Sequence, residues 1–267
     1  MSNNKQKPVR TPEEIYSELK KSNLKTQKYV FVEGIDDVII YQNIINRKDM
    51  AGFLFEEVRG RKNLFKLNEL IRNNPLLVSK TMLLADKDTY VFAFAIPSEH
   101  ENIRFTKGYS IENDLFEDGY DFLMNDLSQS EKTRFDRLIN NISEWYAYEI
   151  EKVLAGKGGS SKTDINLNHP DYIAPGSEQL NAEFLEKRGY SRADKELCDR
   201  IKNNYKLLLR GKFLFEVLHR ISHESDKKMH HKGIPFFWSV SITKGFEIAE
   251  SNCKKIVSIF ENKIGNP

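Results

Sequence analysis

Cysteine is nearly missing from this chain: Cys198 and Cys253 are the only two in 267 residues. That excludes a disulfide scaffold and a Cys-rich zinc module, and it suits a reducing compartment. Long apolar runs are also absent. No stretch approaches the ~18–20 apolar residues that a membrane span requires, in line with a mean hydropathy of −0.57. The opening segment MSNNKQKPVR has no apolar signal core, so the expectation is a cytoplasmic protein that is neither exported nor membrane-spanning. A dominant charge is lacking as well. Forty-one Lys and Arg oppose 39 Asp and Glu, and a net charge of +2 points neither to a polyanion binder nor to an acidic tail.

What is present is the composition of a folded protein, with 39% hydrophobic and 30% charged residues. The length predicts one large or two modest domains with a sizeable buried core. Residues 1–27 read as a polar tail and a short helix, with Thr11 as N-cap, Pro12 at the first helical position and Glu13 and Glu14 in the first turn. Residues 28–118 read as an α/β domain. Lys28 to Val32 is a β-branched and aromatic run stopped by Glu33-Gly34, and an amphipathic stretch follows. Phe53 to Val58, Asn63 to Arg72 and Met82 to Ala85 repeat strand, helix, strand. Apolar strands without polar alternation, separated by helices, imply a parallel sheet flanked by helices. Tyr90 to Ile96 and Ile103 to Ile111 are candidates for further strands. Residues 119–267 read as a mostly helical C-terminal domain, including Glu131 to Glu151, Ser191 to His219 and a last helix from about Gly245 to Phe260. Gly156 to about Gly176, rich in Gly, Ser, Asn and Pro, reads as a loop.

In a parallel sheet, ligands bind beyond the carboxyl ends of the strands. Acids follow three of these apolar runs: Glu33 and Asp37 around the first turn, Asp86 and Asp88 after the central strand, and Glu112 after Tyr109-Ser110-Ile111. If the strands are neighbours, five carboxylates gather at one edge, where they repel unless cations neutralise them. Oxygen ligands without nitrogen or sulfur favour Mg²⁺ or Mn²⁺, and two such metals activate water against a phosphodiester. Helix capping by each acid is the equally weighted alternative.

These residues carry a resemblance. Val32-Glu33-Gly34 with Asp37, an apolar strand ending in Asp86-x-Asp88, and the α/β alternation between them resemble a TOPRIM domain. With Tyr109-Ser110-Ile111-Glu112-Asn113 and Arg210-Gly211-Lys212-Phe213-Leu214 added, the pattern resembles the DUF4435 family, from about Tyr29 to about Leu218 in motif order. That family is TOPRIM-like and includes effector nucleases of the PARIS anti-phage system. The resemblance implies a Mg²⁺- or Mn²⁺-dependent nuclease with Glu33, Asp86 and Asp88 as catalytic residues and Glu33, Asp37, Asp86, Asp88 and Glu112 as metal ligands. It also implies nucleic acid as substrate (RNA, tRNA included, or DNA) and an AAA- or ABC-type ATPase as controlling partner. The family's tyrosine shortly after its glutamate is replaced here by Asp114.

Arg59, Arg61 and Lys62, at the hand-over from the second strand to its helix, are the best candidates for phosphate contacts, followed by Lys87, Lys107 and Lys212. Gly211-Lys212 is not a phosphate-binding Walker loop, because the upstream glycine and the following Ser or Thr are missing. His219 and His223 have the i, i+4 spacing of a zinc helix, with His230 and His231 nearby, but a third ligand is unidentified. The aromatic run Pro235-Phe236-Phe237-Trp238 reads as core or homodimer packing before base stacking. A nuclease therefore ranks first. The alternatives are a non-catalytic module that docks to an ATPase and an OLD-like DNA nuclease, while strand passage is disfavoured for want of room for a topoisomerase clamp.

Overall fold

A computed structural model of the chain describes residues 10–21, 27–92, 96–156, 169–223 and 233–265. Two compact units emerge: Met1–Asp86 with Ala95–Thr106 and Ile256–Pro267, and Lys87–Phe94 with Lys107–Lys255.

The first unit is α/β. Helix α1 (Pro12–Lys21) opens with a reciprocal cap in which Glu14 N–H donates to Thr11 Oγ1 and Thr11 N–H donates to Glu14 Oε2. Strand β1 (Lys28–Val32), helix α2 (Ile35–Asn46), strand β2 (Phe53–Glu57), helix α3 (Arg61–Ile71), helix α4 (Pro75–Lys80), strand β3 (Thr81–Ala85) and strand β4 (Ile103–Phe105) follow. The four strands form one parallel sheet in the order β2-β1-β3-β4. Val30, Phe31 and Val32 are fully buried because both faces of the sheet are covered. On one face, Phe31, Leu83 and Ala85 pack with Ile15 and Leu19 of α1 and Leu64, Leu67 and Ile71 of α3. Helix α4 went unforeseen; Asn74 caps it through Leu77 N–H and Pro75 supplies the first helical position.

The second unit is helical, with α5 (Ile111–Asn125), α6 (Gln129–Leu154), α7 (Ala182–Lys187), α8 (Lys195–Asn203), α9 (Tyr205–Leu208), α10 (Gly211–His223) and α11 (Ile234–Gly245). Phe116 of α5 stands at its centre, 6.2 Å from Phe135 and 5.6 Å from Phe215 between ring centroids. Helices α5 and α11 approach so closely at Gly119 that a β-carbon there would lie 2.9 Å from the Ser241 Cα. Phe237 and Trp238 are buried, the packing role expected of the aromatic run.

Three sequence expectations need correction. The apolar run from Tyr90 is no strand where it is described: Asp88–Phe92 is a 3₁₀ turn, with residues 93–95 outside the described set. Asp88 takes a left-handed φ of +47° and gives its N–H to Tyr109 O, which turns the chain out of the extended direction. The run from Ile103 yields only the three-residue β4 before α5 begins. The final helix, α12 (Asn252–Gly265), starts later than Gly245, because Asp118 caps it at the main-chain N–H groups of Asn252 and Cys253. Ile248, placed on its apolar stripe, is instead 44% exposed, whereas Phe260 packs on Phe53 and Phe55 of β2 in the first unit. Residues 157–168 of the Gly-rich loop lie outside the described residues. No helix among the described residues is long and apolar enough to cross a membrane.

Candidate functional site

Strands β1, β2 and β3 end side by side, and their exits bring together Glu33, the Arg59-Gly60-Arg61 turn and Asp86. Val58 N–H donates to Val32 O at 2.9 Å, continuing the sheet by one bond. The chain then turns through Arg59 at φ +59° and Gly60 at φ +104°, ψ 160°. That conformation is essentially reserved for glycine. It aims the Gly60 N–H at the Glu33 carbonyl, 2.7 Å away. The Glu33 side chain reaches across to β3, where Oε1 accepts the main-chain N–H of Asp86 at 3.2 Å. Arg61 Nη2 donates to the Asp86 carbonyl at 2.9 Å, and its guanidinium lies 5.2 Å from the Phe65 ring centroid and 6.0 Å from that of Phe105. Two acids from adjacent strands and one oriented cation thus share the carboxyl edge.

Asp37 follows the capping reading. Its Oδ2 accepts the Gly34 N–H at 2.9 Å, closing the first turn of α2. Arg59 and Lys62 are exposed, with Arg59 Nε 3.8 Å from Glu57 Oε1. Of the three cations expected to hold phosphate here, Arg61 is engaged at Asp86, while Arg59 and Lys62 present their charge to solvent.

The remaining candidates belong to the helical unit. Glu112 is 2% exposed in the first turn of α5. Lys87 Nζ donates to Lys107 O at 3.3 Å, and Lys107 Nζ pairs with Glu117 at 2.6 Å. Lys212 sits in the first turn of α10. Burial pushes the Asp114 carboxyl up to about 6, against the pull of hydrogen bonds from Gly108 and Lys107 N–H. The two family-like motifs meet here: Asn113 Nδ2 donates to Lys206 O at 2.7 Å and to Leu209 O at 2.8 Å, just before Gly211. A β-carbon on Gly211 would stand 2.6 Å from Ser110 Oγ and 2.7 Å from Asn113 N, so only glycine fits. Asn113 stands in the sequence motif without a role of its own, and its two bonds to the Lys206 and Leu209 carbonyls supply one. Its signal was Ser110-x-x-Asn113, a capping pair in which Ser110 N–H donates to Asn113 Oδ1 at 2.9 Å.

His219 and His223 of α10 have ring centroids 4.6 Å apart; burial and then the neighbouring His223 hold the His219 pKa below its ordinary value. His230 and His231 lie outside the described residues. Among the described residues no three His, Cys, Asp or Glu are gathered as a metal-ligand group. Glu33 and Asp86 nevertheless fit a hard divalent cation in donor chemistry, since Mg²⁺ is commonly held by one or two carboxylates, with water and substrate phosphate completing its shell.

The fold and this edge define an α/β protein with an open parallel sheet and acids at the carboxyl ends of adjacent strands. No protein-family model and no curated protein matches the chain.

Proposed function

We propose that the chain is a metal-dependent TOPRIM-type nuclease that hydrolyses phosphodiester bonds in RNA, tRNA included, or in DNA, as a defence effector controlled by an ATPase partner. The observation that carries this reading is the Glu33 Oε1 to Asp86 N–H bond, which joins the acid after β1 to the acid position after β3 at the edge where parallel sheets bind ligands. The motif order resembling DUF4435 supplies the reaction class and the partner.

Glu33 and Asp86 are the residues of this edge that would hold Mg²⁺ or Mn²⁺, which when bound supplies Lewis-acid stabilisation of a phosphate oxygen and a more acidic water. Glu33, oriented by the Asp86 N–H, would take a proton from the attacking water and return one to the leaving oxygen. Arg61 holds the end of β3 in place through the Asp86 carbonyl. Arg59 and Lys62 place exposed positive charge at the same exit, suited to phosphates flanking the cleaved bond.

The test is cleavage of labelled tRNA and of supercoiled plasmid by purified full-length protein with Mg²⁺. Wild type cuts one of them, and Glu33→Gln is slower by at least 100-fold with unchanged circular dichroism. Equal rates for the two proteins overturn the assignment.

A further inference from the structure

The opposite end of the same sheet carries an assembly that the nuclease reading does not use. A cavity of about 320 Å³ opens at the amino-terminal end of β3, beside the edge strand β4 and the last turns of α12. Arg104 of β4 and Lys263 of α12 line it. Lys28 and Lys80 stand at the start of β1 and just before β3, and Tyr29 pairs with Thr81 in the register that makes these two lysines neighbours. None of the four cations is ion-paired among the described residues. Lys263, half-buried, donates only to the neutral Val78 carbonyl, at 2.7 Å. Burial first, and then the like charges of Lys28, Arg104 and Lys80, lower its pKa. Folding therefore gathers positive charge here, and the single carboxylate in the lining is that of Glu101.

The rest of the lining divides in two. Asn102 and Asn262 offer amides that make no side-chain hydrogen bond among the described residues. Ile71, Met82 and Ile259 give an apolar wall. A concave site at the lower end of the ~300–1,000 Å³ ligand-pocket range, lined by two cations, two amides and an apolar wall, suits a compact ligand with an anionic end and an apolar-faced body that carries hydrogen-bonding groups. A nucleic-acid backbone tracks an open basic groove instead.

We propose that this cavity is a second binding site, which takes a mononucleotide: the phosphate against Arg104 and Lys263, the base against Ile71, Met82 and Ile259. The site is lined by Thr81 to Leu83 of β3 and by Arg104 of β4, includes neither Glu33 nor Asp86, and does not depend on their chemistry.

Isothermal titration of the full chain in metal-free buffer with AMP, adenosine, inorganic phosphate and a 12-nucleotide single-stranded RNA tests it. AMP binds one per chain, at least tenfold tighter than adenosine or phosphate. Arg104→Gln and Lys263→Gln each weaken AMP at least fivefold. Glu101→Gln, an exposed change that leaves the fold intact, tightens it two- to fivefold by removing the opposing carboxylate. Glu33→Gln leaves AMP binding unchanged, which separates this site from the nuclease reading. AMP binding that is undetectable, or indifferent to Arg104→Gln and Glu101→Gln alike, overturns the proposal. RNA binding that falls in Arg104→Gln while AMP does not bind overturns it in favour of a backbone-phosphate contact.

Discussion

The Glu33 carboxylate and the Asp86 main-chain N–H, 3.2 Å apart, tie the exits of β1 and β3 together. Glu33→Gln keeps an acceptor for that N–H and should leave stability within about 0.5 kcal/mol of wild type, whereas Glu33→Ala exchanges this part-buried bond for one to water and should cost about 0.5–1.5 kcal/mol, the net worth of one hydrogen bond. Urea denaturation separates the two, and both variants should lose cleavage. A Glu33→Gln protein that cleaves at the wild-type rate removes Glu33 from the chemistry.

Metal binding offers a readout without turnover. Titration with Mg²⁺ or Mn²⁺ should give saturable binding to wild type, weakened at least tenfold when Glu33→Gln and Asp86→Ala are combined. Indifference to both substitutions would mark the acids as structural, the role Asp37 already plays for the Gly34 N–H.

Gly60 has nothing within 4 Å of where a β-carbon would stand. The penalty of Gly60→Ala is therefore purely conformational, about 1–3 kcal/mol for a region that side chains avoid. Because Gly60 N–H holds the Glu33 carbonyl, cleavage should fall as well. A denaturation midpoint equal to wild type would mean the turn adopts another conformation.

Gly211→Ala acts through the opposite mechanism. The added methyl meets Ser110 Oγ and the Asn113 main chain at 2.6–2.7 Å, an overpacking that typically costs 1–3 kcal/mol. Thermal unfolding should show the loss, and the neighbouring Lys212→Ala, which keeps the glycine, should not reproduce it.

Asp114 sets a pH dependence. Its carboxyl titrates at about 6 in the folded protein, because burial outweighs the two N–H bonds it accepts, against about 3.9 in an unfolded chain. The folded state binds this proton more tightly. The associated stability is full below about pH 4 and lost as pH rises through 6, on the order of 3 kcal/mol. Burial raises Asp118 as well, against the N–H bonds of Asn252 and Cys253, and adds in the same direction. Denaturation between pH 4 and 7 should therefore show a falling midpoint, with a shallower slope in Asp114→Asn. An unchanged slope would reassign the effect.

Local pattern made much of the fold legible. The Thr11-Pro12 cap, the apolar runs of β1 to β3 and the stripe of α3 are readable because burial on both sheet faces or on one helix face imprints a period on neighbouring residues. The acids after β1 and β3 were visible for the same reason, since the end of an apolar run marks the edge of a sheet. Their partners were not. Nothing near Arg61 in sequence says that its guanidinium ends on the Asp86 carbonyl, 25 residues away, and nothing near Asn113 announces the carbonyls of Lys206 and Leu209.

By itself the sequence determined the α/β alternation, the parallel sheet and the position of acids at its carboxyl ends, because these follow from backbone hydrogen bonding and the burial of short apolar segments. Tertiary structure alone decided which of those acids cap a helix, which reach an adjacent strand, and that Lys28, Lys80, Arg104 and Lys263 converge at the other end of the sheet. Those outcomes depend on which distant groups the packed core forces into contact, a relation that no local period encodes.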